Sequence, residues 1–200
     1  RHVGEGVAMV IADCLEAALD GVEQVRVTYD VLPHVTQSKS AILPDAPTLY
    51  DGIASNVLVD TTFGDQPATD AAFAQATHIV EHEFHIQRVT GVTMEPRSAL
   101  GQHDAEADQF TLIAGSGSAV RQRNELATVL GIDAADLRVV SPDVGGNFGT
   151  RNRLYVEFGL VLFASRQVGR PVKFTATRSE SFLTDYQGRD LVTRVALALD

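Results

Sequence analysis

Three glycines and a phenylalanine within nine residues make Asp143-Val144-Gly145-Gly146-Asn147-Phe148-Gly149-Thr150-Arg151 the stretch best suited to chemistry through the main chain. It follows the apolar run Leu137-Arg138-Val139-Val140 and precedes a long apolar segment beginning near Leu154. Glycine tolerates positive φ and has no Cβ, so a ligand can touch the backbone itself. Free N–H groups at the start of a following helix, with Arg151 beside them, favour a bound anion or oxyanion. On the glycines alone, a tight strand-to-helix turn with no ligand is an equal reading. A second strand, glycine turn and helix recur at Gly115-Ser116-Gly117-Ser118, where Ser118 can cap the helix and Gly131 stop it. The two turns either converge on one ligand or are unrelated.

His78-Ile79-Val80-Glu81-His82 fits the H-x-x-E-H spacing of inverted zinc proteases, which requires both histidines on one helix face. Yet Val80, His82, Phe84 and Ile86 alternate with Glu81, Glu83, His85 and Gln87, a period of two. A strand carries His78 and His82 on one side but too far apart to share an ion, so structural histidines are the better reading. Met94-Glu95-Pro96-Arg97 offers a Glu/Arg pair whose usual role is a structural ion pair or a solvated loop. A chain of 200 residues with one cysteine, Cys14, forms no internal disulfide and no thiolate cluster, which fits a reducing, cytoplasmic setting. A net charge of -10 argues against nucleic acid or an anionic membrane as partner. No apolar run approaches a membrane span.

The elements that must position these residues follow in order. Val7 to Ala12 reads as a buried strand, Asp13 and Glu16 as a capping pattern for a helix stopped by Gly21, and Val25 to Val31 as a half-buried strand. Pro33, Pro44 and Pro47 mark a surface connection between two bodies. Val57 to Phe63 is strand-like, and Pro67 to Ala76 is a short helix with proline in its first turn. Phe110 to Ala114 is a strand. Leu154 to Val168 is a helix apolar nearly all round, expected between layers. Val172 to Thr177 is a strand, Arg178-Ser179-Glu180 begins a short helix or turn, and Leu191 to Leu199 alternates as a final strand. The start at Arg1 and the stop at Asp200 both look like cuts through a longer protein.

Four stretches in this order resemble the large subunit of molybdenum hydroxylases, the xanthine dehydrogenase and aldehyde oxidase group, most nearly of the aerobic carbon monoxide dehydrogenase type. They are Gly4-Glu5 through Tyr29-Asp30-Val31-Leu32-Pro33; Met94-Glu95-Pro96-Arg97 with Ala99-Leu100-Gly101; the loop Asp143 to Gly149; and Gly169-Arg170-Pro171-Val172-Lys173 with Ala176 to Glu180 and Gly188-Arg189-Asp190. The resemblance implies an α+β fold. Residues 1–40 would end an α/β hammerhead domain, residues 41–56 would link, and residues 57–200 would begin a molybdenum-cofactor domain. The cofactor implied is molybdenum–molybdopterin, as the cytosine dinucleotide, with iron–sulfur and FAD subunits as partners in an oligomer. A pterin holds the metal through its own dithiolene sulfurs, so the protein supplies orientation and electrostatics and no cysteine ligand. Main-chain N–H groups suit this task because they are fixed and do not titrate.

By the same resemblance, Gly145, Gly146, Asn147, Phe148, Gly149, Thr150, Arg151 and Gly117 contact the cofactor. Three departures bear on this. Asn147 replaces the third glycine of the family's triplet, and Gly117 falls where relatives place a glutamine. Asn152 stands where purine-oxidising relatives carry a substrate-binding glutamate, which argues against xanthine. The family's catalytic glutamate lies beyond Asp200, so no catalytic residue is assigned here and this stretch alone is expected to be inactive. The substrate class stays open among carbon monoxide, an aldehyde and an N-heterocycle. Competing readings are a cofactor-free scaffold or subunit-contact piece and, with less support, a zinc hydrolase through His78, Glu81 and His82.

Overall fold

A computed structural model describes residues 2–200, which fall into two compact units. One comprises the chain up to Val27 with Thr90–Gln187, the other Thr28–Val89 with Gly188–Asp200. In chain order the elements are α1 (Leu15–Glu23), α2 (Ser38–Ala41), α3 (Gln66–Gln75), β1 (His78–Ile86), β2 (Val89–Thr90), β3 (Ser98–Asp104), β4 (Gln109–Ala114), α4 (Ala119–Leu130), β5 (Leu137–Val140), α5 (Val156–Val168), β6 (Val172–Thr175), α6 (Arg178–Thr184), β7 (Gln187–Gly188) and β8 (Leu191–Leu199).

The first unit is built on a mixed four-stranded sheet in the order β5-β4-β3-β6. β3 is antiparallel to both β4 and β6, while β4 and β5 run parallel and are joined through α4. A parallel pair needs such a crossover, and the apolar face of α4 supplies it with Leu126 and Ala127 buried. Ser118 caps α4 and Gly131 ends it in the left-handed conformation, as its sequence implies. Helix α5 lies on the same sheet, and Phe110, Leu112, Leu126, Leu137, Phe158, Val161 and Leu162 form the core between them. Their close approach depends on Gly101 in β3. A methyl group there would stand 2.5 Å from the main-chain carbon of Val161.

In the second unit β1 pairs antiparallel with β8, His78 opposite Leu199 and Ile86 opposite Leu191. Val80, Phe84, Ile86, Leu191, Val195 and Leu197 remain 44–58% exposed, so the apolar side of this ribbon is uncovered among the described residues. Between α2 and α3, the Asn56 side chain donates to the carbonyls of Ala41 and Pro47 and accepts from Leu49 N–H, gathering this stretch into a compact loop.

Several expectations fail here for identifiable reasons. Val7 to Ala12, Val25 to Val31 and Val57 to Phe63 form no strand, because alternation sorts side chains but supplies no neighbouring edge to bond. Asp13 does not cap α1. Cys14 holds that position without a side-chain bond, and the Asp13 carboxylate accepts from Arg170 instead. Gly21 lies inside α1 rather than at its end, where a Cβ would meet Val10 Cγ1 at 2.7 Å. Helix α5 starts at Val156 and buries one side only, with Val156, Phe163 and Val168 exposed. The run of nine residues from His78 is a strand, which puts His78 and His82 roughly 13 Å apart along the chain. No group of three or more histidine, cysteine, aspartate or glutamate side chains could hold a metal ion among the described residues.

The Gly101 contact gives a direct test of the packing. Gly101→Ala should destabilise the protein by about 1–3 kcal/mol or more, because α5 backbone cannot yield as a side chain would. Urea denaturation of the two proteins side by side would measure it, and equal midpoints would contradict the packing described.

Candidate functional site

The glycine loop rests on the segment Gly91 to Arg97, and the contact is made residue by residue. A Cβ on Gly91 would meet Thr150 Cγ2 at 2.8 Å, one on Gly146 would meet Thr93 Cβ at 3.2 Å, and one on Gly145 would meet Glu95 Cβ at 2.5 Å. Glycine is required at 145 by this approach and at 146 by its φ of +117° as well. Glu95 clamps the loop twice. Its N–H donates to the Gly145 carbonyl at 3.1 Å, and its carboxylate accepts from the Gly145 N–H at 2.7 Å. Glu95 and Arg97 therefore do not pair with each other as their spacing suggested.

Arg151 ties the far side of the loop to the same segment. Its guanidinium, fully buried, donates to the Glu95 carbonyl at 2.6 Å and to Thr93 Oγ1 at 3.1 Å. The expectation that its charge sits beside the free amides, facing an anion, is corrected by this geometry. The loop also does not run straight into a helix: a single 3-10 turn, Thr150–Asn152, intervenes before α5. The Arg151 carbonyl accepts from Gly117 N–H at 3.0 Å and from the buried Gln122 side chain of α4 at 3.4 Å. The two glycine turns thus meet, and the space between them is filled by side-chain amides. Asn147 Nδ2 donates to Asn152 Oδ1 at 3.0 Å, and a Cβ on Gly117 would lie 1.8 Å from that oxygen.

Within the loop, Gly149 N–H donates to Asn147 Oδ1 at 2.9 Å, and Thr150 donates through both N–H and Oγ1 to the Asn147 carbonyl. The N–H groups of Gly146, Asn147 and Phe148 find no acceptor among the described residues. Three consecutive unpaired donors stand next to one another, and they are not enclosed: Phe148 is 76% exposed. Phe148 adopts φ +48°, a left-handed conformation costing about 1–2 kcal/mol for a residue with a Cβ. Val92 adopts φ +40° directly beneath the loop, which is a larger departure for a β-branched residue. Backbone in this state persists only where its surroundings hold it.

That support is a buried polar network centred on Arg97. Arg97, fully buried, donates to Asp185, to Glu157 at 2.6 Å and to Thr184 Oγ1 at 2.8 Å, and its guanidinium stacks 4.1 Å from the centre of the Tyr155 ring. Tyr155 Oη donates to the Thr150 carbonyl at 2.8 Å and accepts from Tyr186 N–H at 3.3 Å. Arg178 at the start of α6 donates to the carbonyls of Thr93 and Met94 at 2.8 Å each. Burial raises the Tyr155 phenol above its ordinary value of 10.0, the Asp185 charge adds to that, and the Tyr186 N–H and the two arginines oppose it. The phenol is therefore a neutral donor to the loop at physiological pH.

Two outcomes follow. Arg97→Met leaves Asp185 and Glu157 without their partner and should cost about 3–5 kcal/mol of stability, read from denaturant unfolding. A loss under ~1 kcal/mol would show that the network carries little of the fold. For Tyr155, the unfolded phenol ionises first, so stability is unaffected by this group below about pH 10 and declines as pH rises towards the higher folded value. Tyr155→Phe should remove that alkaline decline, measured as unfolding free energy across the same pH range, and an unchanged profile would assign the decline elsewhere.

Residues 49–200 match the family described as the molybdopterin cofactor-binding domain. The carbon monoxide dehydrogenase large chain of Hydrogenophaga pseudoflava is 34% identical over 92% of this chain and 24% of its own length. Subunit gamma of the 6-hydroxypseudooxynicotine dehydrogenase complex of Paenarthrobacter nicotinovorans is 30% identical over 100% of this chain and 25% of its own. Among solved structures, quinoline 2-oxidoreductase from Pseudomonas putida 86 superposes with a TM-score of 0.88 at 31% identity, covering 94% of this chain and 24% of that one. The Cu,Mo-CO dehydrogenase superposes at 0.83 with 27% identity, over 92% of this chain and 25% of its own. The chain spans about a quarter of the length of these relatives. The match over residues 49–200, together with these relatives, places the chain in the molybdopterin cofactor-binding domain family of the molybdenum hydroxylase large subunits.

Proposed function

We propose that this chain is the part of an oxidoreductase large subunit that grips a molybdenum–molybdopterin cofactor through the loop Gly145 to Arg151. The observation that carries the reading is the run of unpaired N–H groups at Gly146, Asn147 and Phe148. Fixed main-chain donors are the kind of group that orients an electron-rich cofactor without exchanging protons with it. The donor set fits such a group: no cysteine stands at the loop and none is needed, since the pterin brings its own sulfur ligands. When bound, the cofactor supplies the two-electron redox chemistry. The chain's own residues then divide the remaining tasks.

Gly146, Asn147 and Phe148 donate hydrogen bonds to the cofactor. Gly145, Gly149 and Thr150 shape the turn, Gly117 admits the neighbouring turn, and Arg151 holds the loop from inside. No residue of this chain is assigned as the base. The substrate is a small molecule, carbon monoxide, an aldehyde or an N-heterocycle. The cofactor form is the cytosine dinucleotide, and electrons leave through iron–sulfur and FAD subunits in a cytoplasmic oligomer. No described helix is long and apolar enough to cross a membrane. In the same reading residues 1–40 end a hammerhead domain, 41–56 link it, and 57–200 begin the cofactor domain.

Elemental analysis of the protein purified with its partners should find molybdenum near stoichiometric with this subunit, and acid hydrolysis should release cytidine monophosphate. An active preparation free of molybdenum and pterin would refute the reading. Release of a different nucleotide would overturn only the cytosine form.

A further inference from the structure

We infer that Asn147 is a positioning residue whose side chain staples the donor loop and interlocks it with the turn at Gly117. The inference rests on the cofactor reading above and adds to it the device that keeps the three amides free. Asn147 uses each end of its carboxamide differently. Oδ1 takes the Gly149 N–H at 2.9 Å, which closes the turn over Phe148. Nδ2 gives its proton to Asn152 Oδ1 at 3.0 Å, across the 3-10 turn. The Asn147 carbonyl receives Thr150 N–H at 2.9 Å and Thr150 Oγ1 at 2.8 Å. Four bonds at one residue thus fix the chain on both sides of Phe148, the residue forced into positive φ.

The Asn147–Asn152 bridge also occupies the only space a side chain at 117 could take. A Cβ on Gly117 would stand 2.4 Å from Asn147 Nδ2 as well as 1.8 Å from Asn152 Oδ1. A side chain at 117 would have to displace the ends of two amide side chains from the other turn. Donation from Gly117 N–H to the Arg151 carbonyl then locks the turns in register. With Gly145 N–H held by Glu95 and Gly149 N–H held by Asn147, the three amides between these anchors are left without an acceptor among the described residues. Asn147 therefore bounds the free donors on one side, as Glu95 does on the other.

Millisecond hydrogen exchange on the loop, in the protein purified with its native partners, tests this together with molybdenum and pterin content. Asn147→Gly should speed exchange at Gly149 by about tenfold and lower cofactor retention severalfold while global unfolding stays cooperative. Asn147→Asp keeps the acceptor for Gly149 but not the donor to Asn152, so Gly149 exchange should stay slow. Gly117→Ala should disturb the loop, and adding Asn152→Ala to it should restore exchange and cofactor content towards wild type. Unchanged Gly149 exchange in Asn147→Gly would end the staple. Faster exchange with full cofactor content would end its positioning role. If wild-type protein holds no molybdenum, the cofactor reading fails, while the exchange measurements still decide the staple.

Discussion

Two guanidinium groups sealed from water hold this site together. Arg151 joins the loop to the segment beneath it, and Arg97 joins that segment to α5 and α6 through Glu157, Asp185 and Thr184. Burying a charge is expensive, and removing one partner costs more than the pair contributes. Here terminal nitrogens of both guanidinium groups are bonded, while Nε of both arginines is left without a partner among the described residues. An arrangement of this kind tolerates few alternatives. It fixes where Thr93 and Glu95 stand, and these two residues fix Gly145 and Gly146. The left-handed backbone at Val92 and Phe148 is tolerable because this network leaves the chain nowhere else to go.

The functional consequence is a division of labour between charge and neutrality. Two charged groups against the loop are consumed internally: Arg151 by a carbonyl and a hydroxyl, Glu95 by the Gly145 amide. The donors left unpaired at Gly146, Asn147 and Phe148 are uncharged. Peptide N–H groups keep the same donor character at any physiological pH, so a redox group held by them feels a constant field as protons come and go around it. Tyr155, kept neutral by burial, extends this principle into the support behind the loop.

Much of the frame was legible in the sequence because its signals are local. The cap at Ser118, the stop at Gly131, the proline opening α3 and the period of two over His78 to Ile86 each depend on a few adjacent residues. The glycine loop was legible for the same reason. The strands expected near Val10, Val27 and Val59 were not realised, since a ladder needs a second strand that no local pattern reveals. Arg151 was found but given the wrong direction, because sequence spacing cannot tell whether a side chain points outward or into the core. Asp185 and Tyr155 went unnoticed, and Arg178 was read only as the start of a short helix. Asp185 and Arg178 lie tens of residues from the loop along the chain and reach it only through the fold, while Tyr155, four residues past Arg151, was passed over within an apolar segment. Asn147 and Gly117, which differ from the family pattern when viewed singly, make sense as one interlocking contact once seen together.

Site-resolved amide exchange, compared between protein from molybdenum-replete cells and protein made without the cofactor, addresses the central claim most directly. Protection should appear at Gly146, Asn147 and Phe148 when the cofactor is present, with Gly145 and Gly149 unchanged because their partners are internal. Equal exchange at those three amides in both preparations would contradict the account.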